Sequence, residues 1–298
     1  LFRSQMKTGV FIAAKGVIGS LIFLTNSYLI STLLSTADFA IYRSGALEVP
    51  LLSTIYGSIG VVILPEIHKL WASDERRHEI VELKRKIINY CMLINYPILI
   101  FLLFFSRDLI TLYLSSKYSA SAIVFAIFNL TLLIRINDYE DVIIASKKSY
   151  LLFRYYLAGF VFNLVAAYFL IKYFGYAGGA ASVVVSILLI SVLEFRKSLQ
   201  LLRCRFRDLV LTGNFFKTVF ISVIIAAFLF FIRENYLGGI NIVVKTILIA
   251  VLYFSACYGV HHFFDIGHFN ELKGILLRVT NTENLFRKFI RMKKSEVD

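Results

Sequence analysis

Residues 135–142 read Arg-Ile-Asn-Asp-Tyr-Glu-Asp-Val, so one guanidinium and three carboxylates follow the apolar run 122–134 and precede Ile143, Ile144 and Ala145. On a helix Arg135 and Asp138 are neighbours at i, i+3, Asp138 meets Asp141 at the same spacing, and Glu140 points away from that face. Lys147 marks the end of the apolar stretch, which places Arg135 about twelve residues, or roughly 18 Å, inside it. A charge at the centre of a bilayer costs roughly 2.5–3.5 kcal/mol. Such groups either pair with one another for structure or line a wet path that passes a charged headgroup or couples a proton or sodium ion. Arg135 and Asp138 are therefore candidates for a cavity wall. Asp138 and Asp141 are candidates for ion coupling.

Other polar residues raise the same question. Lys15 lies eight residues beyond Lys7, roughly 12 Å along a helix. Lys15, Gly19, Ile22 and Asn26 recur at helical spacing, so Lys15 and Asn26 share a face that should look toward other helices or a wet cavity. Glu48 is followed by Pro50, which interrupts the backbone ladder, and is flanked by Ser44, Gly45, Ser53 and Thr54. Glu48 is thus a candidate for the cavity and for ion coupling, with Arg43 nearer the surface as a further substrate candidate. Lys217 and Lys245 stand near the ends of apolar runs, where a long side chain snorkels to water.

The elements that must position these groups follow from composition. Of the 298 residues 58% are hydrophobic and 17% charged, and the mean hydropathy is +0.75. Soluble domains have roughly 45–50% apolar and about 25% charged residues. Apolar runs long enough to cross a bilayer recur along the chain and are too long and uniform for barrel strands. The expected fold class is all-α, a polytopic helical membrane protein with about eight spans. Those spans fall near 8–34, 39–64, 87–106, 119–146, 150–172, 176–195, 214–232 and 237–260.

The net charge of +13 is distributed by loop. Basic residues gather at Arg3 and Lys7, between Lys69 and Lys86, at Lys147, Lys148 and Arg154, between Arg196 and Arg207, and between Lys273 and Lys294. The intervening loops hold only Arg43, Arg107, Lys117, Lys172 and Arg233. This alternation is the positive-inside pattern and puts both termini in the cytoplasm. It reads as topology, and nucleic acid is not an expected partner. The loops on the other side are too short for a catalytic domain, and the large inside loop 65–86 reads as a charged, solvated extension. The segment 107–118 is amphipathic and suits the outer interface.

Cys91, Cys204 and Cys257 are odd in number and contain no C-x-x-C pair, so neither a disulfide framework nor a zinc site is indicated. His261, His262 and His268 lack an obvious fourth ligand, and no metal or cofactor is expected. Residues 287–294, with Arg287, Lys288, Arg291, Lys293 and Lys294, suit anionic membrane lipids. The division expected is a six-span lobe at 1–212, an added helix pair at 213–260 and a basic cytoplasmic tail at 261–298.

Several stretches, in order, resemble the polysaccharide and oligosaccharide-lipid flippases of the multidrug/oligosaccharidyl-lipid/polysaccharide exporter superfamily, the O-antigen flippases among them. They are RSGALEVPLLSTIYGSIGVVILPEIHK (43–69), SSKYSASAIVFAI (115–127), VIIASKKSYLLFRYYLAGFVFNLVAAYFLIKYFGYAGGAAS (142–182) and the paired final spans. The resemblance implies two six-helix lobes around a central cavity, with the present chain matching the second lobe plus an extra pair. A first residue Leu1 and eight spans then imply an N-terminally truncated chain or a separate first-lobe partner. The implied activity is transport, without enzymatic turnover, of an undecaprenyl-pyrophosphate-linked oligosaccharide across the bacterial inner membrane by alternating access, with the diphosphate meeting Lys15, Arg43 or Arg135. Related flippases for peptidoglycan precursors carry an arginine three residues ahead of the glutamate of an E-x-P feature. Here Glu48 and Pro50 match while that place holds Gly45, which implies a different lipid-linked glycan. A cation-coupled multidrug-type exporter, an integral-membrane glycosyltransferase or polymerase, and a scaffolding subunit are the other classes compatible with the composition.

Overall fold

The computed structural model describes residues 2–47, 63–134, 139–267 and 269–271, the side chains of residues 2–5, 7 and 212 apart. The described residues form helices joined by turns, with no strand among them. Helix α1 (Phe2–Leu33) is a long apolar run, stopped where Ser35 caps the next helix. The Ser35 hydroxyl accepts from the Asp38 amide at 3.1 Å and the Asp38 carboxylate accepts from the Ser35 amide at 3.3 Å, a reciprocal cap that starts α2 (Thr36–Gly45). A helix over residues 63–71, α3, precedes a short 3₁₀ turn and α4 (Arg77–Phe104).

Helices α5 (Ser106–Leu114) and α6 (Ser121–Asn129) follow, and α6 tightens into a 3₁₀ turn at Leu130–Leu133. Helix α7 (Glu140–Ala145) starts separately. Then come α8 (Tyr150–Leu202), the single turn α9 (Phe206–Leu209), and the antiparallel pair α10 (Thr212–Tyr236) and α11 (Ile242–Phe263).

Helix α8 is two arms of a hairpin. Gly175, with φ 59° and ψ −140°, reverses the chain in a conformation that costs glycine nothing sterically. The arms then lie back to back, Gly159 against Ile190 and Asn163 against Ser186. At Gly178 a Cβ would stand 1.9 Å from the Leu170 carbonyl oxygen, so only glycine admits so tight a return. The two spans expected at 150–172 and 176–195 are these arms.

Helix α1 runs along α8, and α2, α6 and α7 complete one bundle around Ile22, Ile30, Tyr42, Phe128 and Val183. Helix α4 stands between that bundle and the α10–α11 pair, which closes on it through Phe101, Phe105, Leu229 and Tyr253. Pro97 lies inside α4, and its carbonyl accepts from the Tyr253 hydroxyl at 2.9 Å, tying α11 to the C-terminal half of α4.

The outward faces are apolar: Val17 and Leu24 of α1, Val165 and Phe169 of α8, Phe220 and Phe231 of α10, and Val244 and Val251 of α11 are exposed. Among the described residues five helices are long and apolar enough to cross a membrane, spanning Thr8–Leu33, Asp74–Phe104, Tyr150–Leu202, Gly213–Tyr236 and Ile242–Phe263. A soluble monomer does not leave so much contiguous apolar surface in water. The chain is a multi-pass helical membrane protein.

Two sequence expectations change. The span drawn at 119–146 is not one α-helix, because α6 ends at Asn129 and α7 begins at Glu140. Near that end the Asn129 amide donates to the Phe125 carbonyl at 2.8 Å and the Thr131 hydroxyl to the Phe128 carbonyl at 2.9 Å, local bonds that compete with the helical ladder. The loop 65–86 is also not solvated throughout. Ile67, Leu70, Ile80 and Lys84 are buried, since α4 begins at Arg77 and turns its first three turns onto the core.

Candidate functional site

The interrupted helix is where charges from separate elements meet. The carbonyl groups of the 3₁₀ turn after α6 and of the residue before α7 are taken up by neighbouring helices: the Tyr96 hydroxyl of α4 donates to the Leu133 carbonyl at 3.2 Å, and the Ser198 hydroxyl of α8 to the Tyr139 carbonyl at 2.6 Å. Non-helical backbone is stable inside a membrane protein only where protein or a wet cavity satisfies it. In transporters, discontinuous helices of this kind are where polar ligands and coupling ions are held.

Glu140 and Asp141 open α7, where the partial positive charge of a helix N-terminus favours carboxylates. Each takes an ammonium group from a different helix. Glu140 binds Lys15 of α1, whose ammonium also lies 5.2 Å from the centroid of the Tyr156 ring on α8. Asp141 binds Lys84 of α4 at 2.6 Å. The two pairs differ in access. The side chains of Lys84 and Asp141 are 3% and 5% exposed, whereas those of Lys15 and Glu140 are 14% and 19% exposed.

Asn26 lies about three turns from Lys15 on the same face of α1 and is wholly buried. Its amide donates to the Ile22 carbonyl and to the Asn163 side-chain oxygen, both at 2.8 Å, and its own oxygen accepts from the Ser182 hydroxyl at 2.6 Å. Asn163 in turn donates to Ser186 at 3.1 Å. These bonds fasten α1 to both arms of α8, and the surroundings of Asn26 are helix–helix packing. Arg43 is exposed at the last turn of α2, where a cation complements the helix C-terminus. Glu48, Arg135 and Asp138 lie outside the described residues.

Sequence reasoning missed Lys84 as an interior charge and missed Glu140 as the partner of Lys15. One signal was present for the first: Lys84 falls midway between Ile80 and Ile88 at i±4, inside an apolar stripe. For the second, no local pattern exists, because Lys15 and Glu140 are 125 residues apart.

At the opposite end of the bundle the Arg233 guanidinium of α10 grips the Asp108 carboxylate of α5 through two bonds of 2.5 and 2.7 Å, with the Phe230 ring beneath it. This clamp holds the α10–α11 pair to the rest of the bundle. Between α4 and α9 a cleft of about 370 Å³ is lined by His78, Glu82, Arg85, Arg203, Cys204 and Asp208. Burial, and secondly the Asp208 carboxylate, push the Cys204 thiol above its ordinary value. Among the described residues no three His, Cys, Asp or Glu side chains converge as a metal site would require.

No curated protein matches the chain. Residues 1–123, covering α1 to the start of α6, match the family described as "Polysaccharide biosynthesis protein", which supports a role in polysaccharide biosynthesis or export and fits the resemblance to the polysaccharide exporters.

Proposed function

We propose that the chain is the second-lobe part of a flippase that carries an undecaprenyl-pyrophosphate-linked oligosaccharide, such as an O-antigen unit, across the bacterial inner membrane by alternating access. The observation that carries this reading is Lys15: a cation within an apolar helix, held on a carboxylate and an aromatic face beside an interrupted helix, and still accessible. A diphosphate needs such a cation, while the polyprenyl tail needs only lipid. In this reading Arg43, Glu48, Arg135 and Asp138 border the polar route, and Glu48 and Asp138 are the groups available for ion coupling, while Asp141 is committed to Lys84. A first lobe, in the same chain or in another, forms the facing wall. The basic tail holds the cytoplasmic surface to anionic lipids.

The test is transport by the whole protein in cells whose own transporter is deleted. Lys15→Ala is expected to lower surface glycan at least tenfold at an unchanged protein level in the membrane. Wild-type glycan from that variant would remove Lys15 from the pathway. Absence of any lipid-linked intermediate on the cytoplasmic side when the wild-type protein is depleted would overturn the flippase reading as a whole.

A further inference from the structure

Glu140 and Asp141 are adjacent in sequence, yet their surroundings differ. Successive residues on a helix point about 100° apart, so α7 turns one carboxylate toward α1 and the next toward α4. Asp141 and Lys84 are enclosed on both sides. Separating them would strand a charge in apolar surroundings, so that pair does not trade partners readily. Lys15 and Glu140 keep part of their surface open. Another anion reaches Lys15 from that open side and replaces the carboxylate without first being stripped of all its water. The Tyr156 ring, with its centroid 5.2 Å from the ammonium, is a neutral second partner for Lys15 that does not compete as an anion.

The geometry points to a division of labour between the two carboxylates: Asp141 anchors α7 to α4, and Glu140 is a resident stand-in for phosphate that holds Lys15 until a diphosphate-bearing headgroup displaces it. This rests on the proposed function, in which Lys15 is the headgroup cation, and adds a role for Glu140 that the function alone does not require. A carboxylate tethered beside its cation acts at a high effective concentration, so every incoming anion competes with it. A singly charged anion gains nothing by the swap. A diphosphate, with more charge than one carboxylate, does. Glu140 thus sets a threshold that favours diphosphates over monoanions and keeps Lys15 paired when no cargo is present.

Calorimetric titration of the purified whole protein in nanodiscs tests this with three probes: farnesyl diphosphate, farnesol and inorganic pyrophosphate. Farnesyl diphosphate is expected to bind Glu140→Gln roughly tenfold more tightly than wild type, because the internal competitor has lost its charge. It is expected to bind Lys15→Gln at least tenfold more weakly, and farnesol should distinguish none of the three proteins. Should Glu140→Gln fold poorly, Glu140→Asp withdraws the carboxylate by one methylene and should also bind more tightly than wild type. Equal affinity of wild type and the Glu140 variants, together with weakened binding by Lys15→Gln, overturns the competitor role and leaves the proposed function standing. Undiminished binding by Lys15→Gln, or no binding by any form, overturns both. If pyrophosphate alone gives the same ranking and affinity as farnesyl diphosphate, the exchange holds but the ligand is free phosphate, which overturns the lipid-linked cargo.

Discussion

Lys84 of α4 and Asp141 of α7, 57 residues apart in the chain, form an ion pair at 2.6 Å between two buried side chains. Removing one member of an enclosed pair takes away the counter-charge and leaves the other ion buried, at a cost of about 3–5 kcal/mol. Lys84→Met and Asp141→Asn should each lower the unfolding temperature sharply in detergent, followed by loss of the monodisperse peak on size exclusion. The double variant Lys84→Met/Asp141→Leu should recover most of that loss, since neither charge remains. A double variant as unstable as the singles would show that the pair does more than neutralise itself.

The Asn26 network makes a second prediction. Both amide hydrogens of Asn26 and its oxygen are used within the membrane core. Asn26→Leu leaves the Asn163 side-chain oxygen short of a donor, while the Ser182 hydroxyl falls back on the Gly179 carbonyl, and should cost about 1–3 kcal/mol. Thermal unfolding of the variant measures it, and Asn26→Leu at wild-type stability would mean that α1 is held to α8 by its apolar contacts alone.

The clamp between Asp108 and Arg233 predicts coupling between α5 and α10. In a double-mutant cycle, Asp108→Asn and Arg233→Met should be non-additive by between about 0.5 and 3 kcal/mol. Additive losses would indicate that Phe230, Glu234 and the surrounding rings hold the Arg233 stem without help from Asp108.

Cys204 gives a chemical readout of the cleft beside α9. The thiolate is the reactive form, and burial and Asp208 both disfavour it, so its folded value lies above the ordinary one. At neutral pH a smaller fraction is thiolate than in an unhindered cysteine, and maleimide labelling should be slower and should accelerate as pH rises past the ordinary thiol value. Asp208→Asn, by removing the weaker of the two causes, should speed labelling modestly at fixed pH. Cys91 and Cys257 are buried, so the early labelling reports on Cys204. Labelling at the rate of a free thiol, in intact protein, would place Cys204 in open solvent.

Much of the architecture is legible from local sequence. The length of the apolar runs determined the helical membrane class, because a backbone in hydrocarbon has to bond to itself. The spans read at 150–172 and 176–195 left three residues for the turn between them, and Gly175 makes it because a reversal so short needs a positive φ. The placing of Lys15 and Asn26 on one inward face of α1 also followed from helical spacing.

The partners did not follow. Charge spacing offered Arg135 and Asp138 as a pair within one helix and gave Glu140 and Asp141 no partner, whereas α4 supplies Lys84 to Asp141 from across the bundle and α1 supplies Lys15 to Glu140. Lys84 looked solvated because its neighbours in sequence are charged. It is buried because Ile80 and Ile88, one turn to either side, turn that stripe of α4 inward. Sequence alone determined that ions stand within the apolar segments. Which carboxylate each lysine meets, and which of the two pairs stays open enough to exchange, depends on helices brought together from distant parts of the chain, and Coulomb energy and desolvation are set by those distances in space.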